Sequence, residues 1–500
     1  MQIIPSTTRT SVVLWLVLVS LFSTGCVVSK SPVTGNRRAY GYTWEQEIQI
    51  GKESDPQIIA QYGLYDDVAM AKYVEDLGQN ILAFSHLRRP DTEPEYRNTA
   101  FTFRVLDSPV INAFALPGGY IYVTRGLMAH MENEAQLAVV LGHEIGHVAA
   151  RHASQRAATQ AFGQLGLIGA AIGGQVFLGG DAAENILNLG GTAAQLLFLS
   201  YGRDDERESD ELGVEYSALA GYKAGEGSAF FTSLKRLGAQ QEQSLPGFLS
   251  THPDPGEREQ TILRMAAEWA QRTEMTKVNQ ESLLAQVNGV VLGDNPRQGF
   301  AEDGVFYHPD LRFRFPVPSG FTMINQPSQV ALVGPNQQAI LLFSLAEGAA
   351  SAREASDKFA AQEGLTVVER GQGQAQGLPA RYILADAQTQ DGQEVRLRAY
   401  FVDYDDRVYT FLGYSAKETY ATYASAFTST MQGFGRLTDG RILNIQPTRL
   451  TVVTTDRSAV FKTYLPGTLP ASLSAEGMAI LNQVGLEEQI PPGRRLKLIQ

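Results

Sequence analysis

A single cysteine in 500 residues leaves nothing to form an intramolecular disulfide or a cysteine-based zinc site. Histidine is scarce too, with seven in the chain, so a metal held through nitrogen must draw on a small and traceable set. Basic blocks are missing: 41 Lys and Arg stand against 53 Asp and Glu, a net charge of −12, which argues against nucleic-acid binding. With 44% hydrophobic and 19% charged residues, the composition excludes both a disordered chain and a polytopic membrane protein. What remains is a globular chain whose length implies about three domains at ~150 residues each.

The N-terminus is poor in charge. Arg9 is the only charged side chain before Lys30, and Val12 to Phe22 is an unbroken apolar or small-residue run. Those residues span only ~16 Å as a helix, too short for a ~30 Å hydrocarbon core, so the run reads as the core of an export signal covering residues 1–25. Ser23-Thr24-Gly25-Cys26 resembles a bacterial lipoprotein signal, which implies cleavage before Cys26, lipidation of that residue, and stable anchoring by several acyl chains. Val27 after the cysteine implies, by the same resemblance, the outer membrane facing the periplasm; a soluble periplasmic protein is the alternative. Residues 26–42 are expected to be a tether.

The chemistry concentrates at His143-Glu144-Ile145-Gly146-His147. The stretch from Glu134 to Ala158 lacks proline, and Leu137, Leu141, Ile145 and Val148 form one apolar stripe, so a single helix is expected there. His143 and His147 then lie about 40° apart and ~6 Å along the axis, able to reach one ion. Val139 and Ala150 extend the histidine side with apolar groups, predicting a helix buried on both sides. A catalytic zinc keeps one position open for water, and Glu144 points away from the histidine pair, placed to take a proton rather than to ligate. Further along, Glu206 and Asp210 share one helical face within an acidic run. One can complete the metal set while the other accepts the free N–H of a ligating histidine.

With these motifs in place the chain resembles zinc metallopeptidase family 48, the group typified by HtpX, BepA and the CAAX prenyl proteases. Its pattern is H-E-x-x-H followed by Ser-Arg-x-x-Glu-x-x-Ala-Asp; here the second part reads Gly202-Arg203-Asp204-Asp205-Glu206-Arg207-Glu208-Ser209-Asp210. Gly202 and Ser209 depart from the pattern but are small. The resemblance covers about Val33 to Arg272. It implies one zinc per chain, held by His143, His147 and Glu206, with Asp210 behind a ligating histidine. It implies that Asn112 to Val123, which reads as strand, Gly-Gly turn, strand, borders the cleft and can hold an extended peptide. It also implies that His252, in the loop Thr251-His252-Pro253-Asp254-Pro255, either occupies the open metal position or aids catalysis. His86, His130, His152 and His308 have no partner at metal spacing and read as structural. Ala157 to Gly180 is long enough to span a bilayer, but its glycines and glutamines suit the helices that cover the active site in soluble relatives.

The expected architecture is multidomain α+β. A mainly α-helical, zincin-type metalloprotease domain with a small β-hairpin or sheet fills 43–272, and a linker follows at 273–300. An α/β sandwich-like accessory domain, faintly similar to PsbP, covers 301–438, supported by alternation at Val395, Leu397, Ala399 and Phe401. Residues 445–500 resemble a degenerate LysM module, which implies peptidoglycan as a partner. The expected function is an envelope zinc endopeptidase acting on unfolded or misassembled envelope polypeptides, with the outer-membrane assembly machinery as a further candidate partner. The rival is a largely non-proteolytic, zinc-containing chaperone or assembly factor of the outer membrane, for which Glu144 has no use.

Overall fold

The computed structural model describes residues 27–165, 201–240, 248, 251–252, 257–389, 392–470 and 473–499. The export signal with Cys26, most of the 157–180 stretch, and Pro253 to Pro255 lie outside the described residues. Helices and sheets are mixed along the chain, and no described helix is long and apolar enough to cross a membrane.

Residues 27–42 do not run free. From Val27 onward they fold into an antiparallel hairpin, β1 (Val27–Lys30) with β2 (Arg37–Tyr40). Helices α1 (Trp44–Tyr62) and α2 (Val68–Leu82) follow. A three-stranded sheet comes next, made of β3 (Thr102–Leu106), β4 (Ala113–Leu116) and β5 (Tyr120–Thr124), with β4 on one edge. The strand, turn and strand expected around Pro117 are present: β4 and β5 pair antiparallel, and Gly118 and Gly119 both take positive φ at the turn, where a Cβ would be strained.

The expected single helix over 134–158 is two. Helix α3 (Glu134–Ala150) ends at Arg151, whose backbone is left-handed (φ 62°, ψ 39°), and α4 (His152–Leu165) starts anew. No glycine or proline announces this break. It is held by the Arg151 side chain, which donates to Glu47 at 2.6 and 2.8 Å, to the Tyr42 carbonyl at 2.8 Å and to Ser29 Oγ at 2.9 Å. Every residue of α3 is buried, as the apolar groups on both of its sides predict. At its start Asn133 accepts from the Gln136 N–H, and Glu134 accepts hydrogen bonds from Tyr73, Tyr222 and Asn279, a carboxylate well placed at a helix N-terminus.

Helix α5 (Arg203–Leu219) crosses α3 at close range. Its acidic start, Asp204, Asp205 and Glu206, suits the positive end of a helix dipole. Glycines permit the approach: a Cβ on Gly213 would sit 2.9 Å from both His143 N and Val139 O, and one on Gly142 would sit 2.9 Å from Gly213 O. Gly213→Ala is therefore expected to cost about 1–3 kcal/mol by overpacking, read as a lowered denaturant midpoint; an unchanged midpoint would mean that the crossing has slack. Helices α6 (Gly227–Gln240) and α7 (Arg258–Trp269) complete the layer around α3.

The segment expected to be a linker, 273–300, instead carries α8 (Gln280–Val287), with Leu283, Leu284 and Val287 in the same core as Leu137, Leu141 and Ile145. Beyond it the chain pairs with its own return. Leu292 N donates to Thr448 O, Gly289 N to Leu450 O, and Leu450 N to Val290 O, so residues 294–447 form an insertion hung on two antiparallel segments. That insertion contains a seven-stranded antiparallel sheet. Its strand order is 366–375, 378–388, 394–404, 407–416, 339–345, 329–333, 322–325. Its helices are Ala352–Ala360 and Tyr420–Gln432. The C-terminal segment has its own small core, Leu450, Phe461, Met478 and Leu496 among others, which includes Ala129 and Leu292 of the preceding unit.

Candidate metal centre

Two helices supply the ligand-type atoms. On α3, His143 and His147 stand one turn apart with Nε2 atoms 2.9 Å from each other. On the first turn of α5, Glu206 places its carboxylate 3.5 Å from His143 Nε2 and 3.4 Å from His147 Nε2. His252 joins them, its Nδ1 3.0 Å from Glu206 Oε1 and 3.3 Å from His143 Nε2. One atom from each of these four residues lies within 4.8 Å of the other three, and all four residues are buried. His252 is braced from behind: its Nε2 lies 3.3 Å from the carbonyl of Ala113 on the edge strand β4, and Phe248 stacks on its ring at 4.6 Å.

The surroundings fit a cation. Both Glu144 oxygens are buried without a hydrogen-bond partner among the described residues, an arrangement that costs free energy unless positive charge answers it, whereas Glu206 Oε2 already has Arg258 Nη1 at 3.3 Å. Burial pushes the Glu144 carboxyl up, with His252 and His143 opposing. Burial also works against Glu206, but His252 and hydrogen bonds from His143 and His147 hold it well below the usual carboxylate range. His143 shows the same field from the other side. Burial and the Arg258 charge push it down, yet hydrogen bonds to Asp210 and Glu206 prevail and raise it to about 9. Imidazole nitrogens with one carboxylate form a donor set that suits zinc and its first-row neighbours better than calcium or magnesium.

Asp210 sits where a ligand's outer partner should, its Oδ1 2.9 Å from His143 Nδ1. Arg258 clamps that oxygen from Nη2 at 2.5 Å and Nε at 3.0 Å. Sequence reasoning missed Arg258, which comes from α7 and has no local pattern to mark it. Tyr201 was missed as well; its ring stacks on His147 with centroids 3.9 Å apart. His152, read as structural, turns out to touch the site, with Nδ1 2.9 Å from His147 Nδ1. In one continuous helix these two residues would lie about 140° apart; the left-handed break at Arg151 brings them together. His86, His130 and His308 lie elsewhere, bonded respectively to Tyr216, the Gly126 carbonyl and the Leu311 N–H. Beside His147 lies a small pocket of about 10 Å³ lined by Ala115, Leu116, Pro117, Val148, Tyr201 and Glu47.

A buried H-E-x-x-H helix crossed by a second helix that offers glutamate and aspartate defines the class. Residues 71–266 match Peptidase family M48. The chain is 28% identical over 218 residues to the beta-barrel assembly-enhancing protease of Escherichia coli (strain K12), covering 43% of this chain and 42% of that one. It is 32% identical over 162 residues to the mitochondrial metalloendopeptidase OMA1 of Arabidopsis thaliana, covering 32% and 30%. It thus spans less than half the length of each of these relatives. The solution structure of cyanobacterial PsbP from Synechocystis sp. PCC 6803 aligns with 28% of this chain and 91% of its own at 13% identity and TM-score 0.21, a level that assigns no fold.

Proposed function

We propose that this chain is a zinc-dependent endopeptidase of the bacterial cell envelope, with His143, His147 and Glu206 as the metal ligands. The observation that carries the reading is the convergence of those ligand atoms beside a buried glutamate, Glu144, that accepts no hydrogen bond from the described residues. Zinc, when bound, supplies Lewis acidity that makes water more acidic and polarises a carbonyl. Glu144 takes the proton from the attacking water and returns it to the leaving amine. Asp210 orients the His143 ring through Nδ1. The edge strand β4, whose Ala113 carbonyl meets His252 and whose Ala115 and Leu116 line the pocket, holds an extended substrate by backbone pairing. Selectivity for sequence is then loose, as suits misfolded or misassembled envelope proteins as substrates.

The chaperone reading is not favoured, because a structural metal site has no need of a buried Glu144 that accepts no hydrogen bond from the described residues. His252 fits a different role. Lying among the ligand atoms and 3.5 Å from Glu144 Oε1, it holds the site closed until substrate displaces it. His252→Ala is expected to raise cleavage of unfolded casein about tenfold, the factor that removing ~1.4 kcal/mol of closed-state stabilisation produces. A fall in rate would instead make His252 a participant in catalysis.

Lipidation at Cys26 places the enzyme on the outer membrane, and mass analysis of the mature N-terminus tests it. Residues 301–438 serve as a PsbP-like binding or structural module. Peptidoglycan binding by residues 445–500 would appear as retention on purified sacculi.

A further inference from the structure

Each histidine of the H-E-x-x-H pair turns Nε2 toward the ligand cluster, so each must carry its proton on Nδ1 to ligate, and a buried N–H needs an acceptor. For His143 the acceptor is Asp210, clamped by Arg258. For His147 the partner of Nδ1 is another imidazole nitrogen, His152 Nδ1 at 2.9 Å. Two ring nitrogens can share one hydrogen bond only if one of them has no proton. With His147 donating, His152 is confined to its Nε2–H tautomer. A matching acceptor stands at that position: Glu208 Oε2 lies 3.3 Å from His152 Nε2 and is held by Arg38 Nη1 at 3.2 Å. The remaining neighbour of His152 Nδ1, the Ser209 hydroxyl at 3.3 Å, has a rotatable proton and leaves the assignment intact.

We infer that His152 is a positioning residue for the metal, fixing the tautomer and ring plane of His147 through the chain His147–His152–Glu208–Arg38. The inference rests on the metal-site reading above and goes beyond it. His152 takes for the second ligand the place that Asp210 takes for the first. Because the acceptor is a neutral ring rather than a carboxylate, the two ligands differ in basicity. His152 is fully buried, and its ring meets that of His147 edge-on with centroids 5.0 Å apart, so it orients its partner by packing as well as by the hydrogen bond.

The test is zinc affinity, measured on the full chain by competition with a chromophoric chelator, together with the visible absorption of the cobalt-substituted protein. His152→Phe keeps the packing but removes the acceptor, and it should weaken zinc binding about 10- to 100-fold and shift the cobalt bands. His152→Asn, whose Oδ1 falls near the former Nδ1, should recover most of that loss. Glu208→Ala, at a partly exposed site that folding tolerates, should give a smaller loss in the same direction. Melting of the metal-free proteins separates instability from lost positioning. Wild-type zinc affinity in His152→Phe, or an Asn variant as weak as the Phe variant, would overturn the inference while leaving the metal site standing. If His152→Phe does not fold, near-wild-type affinity in His152→Asn with a weakened affinity and shifted cobalt bands in Glu208→Ala supports the acceptor role for His152, and wild-type affinity with unshifted bands in Glu208→Ala overturns it. A wild-type chain that binds no zinc would overturn both.

Discussion

Glu144→Gln is expected to lower turnover by about 10²–10⁴-fold while leaving zinc in place, the range that general acid–base catalysis commands. The amide matches the carboxylate in shape, so the packing around residue 144, which is fully buried, is kept. The amide cannot take a proton. Glu144 is also no ligand in this geometry; the atoms that converge belong to His143, His147, Glu206 and His252, so metal content should not follow activity. The measurement is casein cleavage by the mature chain with zinc determined on the same sample. Residual turnover within about tenfold of wild type would remove Glu144 from the role of base. Loss of zinc together with activity would mean that its charge belongs to the metal site.

Lys497→Met should have the largest effect on stability, a loss of about 3–5 kcal/mol. The ammonium is buried at 1% exposure, 2.9 Å from Glu132 Oε1, and donates to the carbonyls of Ala129 and Met131 at 2.9 and 2.8 Å. Burial pushes its pKa down, and Glu132 resists that. Methionine keeps the apolar stem but leaves Glu132 without its nearest charge; Arg494, 3.5 Å away, compensates only in part. These residues lie immediately before Asn133, which caps α3, and Gln483 reaches Gln136 in the first turn of that helix. The C-terminal segment thus braces the start of the helix that carries His143 and His147. A denaturant midpoint unchanged from wild type would show that this docking contributes little.

What could be read from the chain alone follows how far apart the interacting residues lie. His143, Glu144 and His147 are set by one helical turn, and Glu206 and Asp210 by another, so spacing alone places each group on one helix, and the structure brings the two groups together. In the insertion, the alternation Val395, Leu397, Ala399, Phe401 marks a strand because one face of it is buried. The outer strand 366–375 escaped notice because most of its residues are exposed and no alternation marks it. His152 was hidden by a backbone break that only the burial of Arg151 against Glu47 explains. Arg258, and the pairing of 289–292 with 448–450, depend on contacts that no local pattern encodes.

The hairpin of β1 and β2 changes what an acyl anchor on Cys26 would do. A flexible segment of seventeen residues could extend about 60 Å, letting the enzyme patrol the space above the bilayer. The folded hairpin starts at Val27 and is fastened by Arg38 to Glu208 and by Gly41 to Ser154, which leaves roughly one residue of play, about 4 Å. The enzyme would then be moored rather than leashed. Its reach would end close to the lipid headgroups, and a damaged protein would be cut only where the membrane surface brings it to the metal.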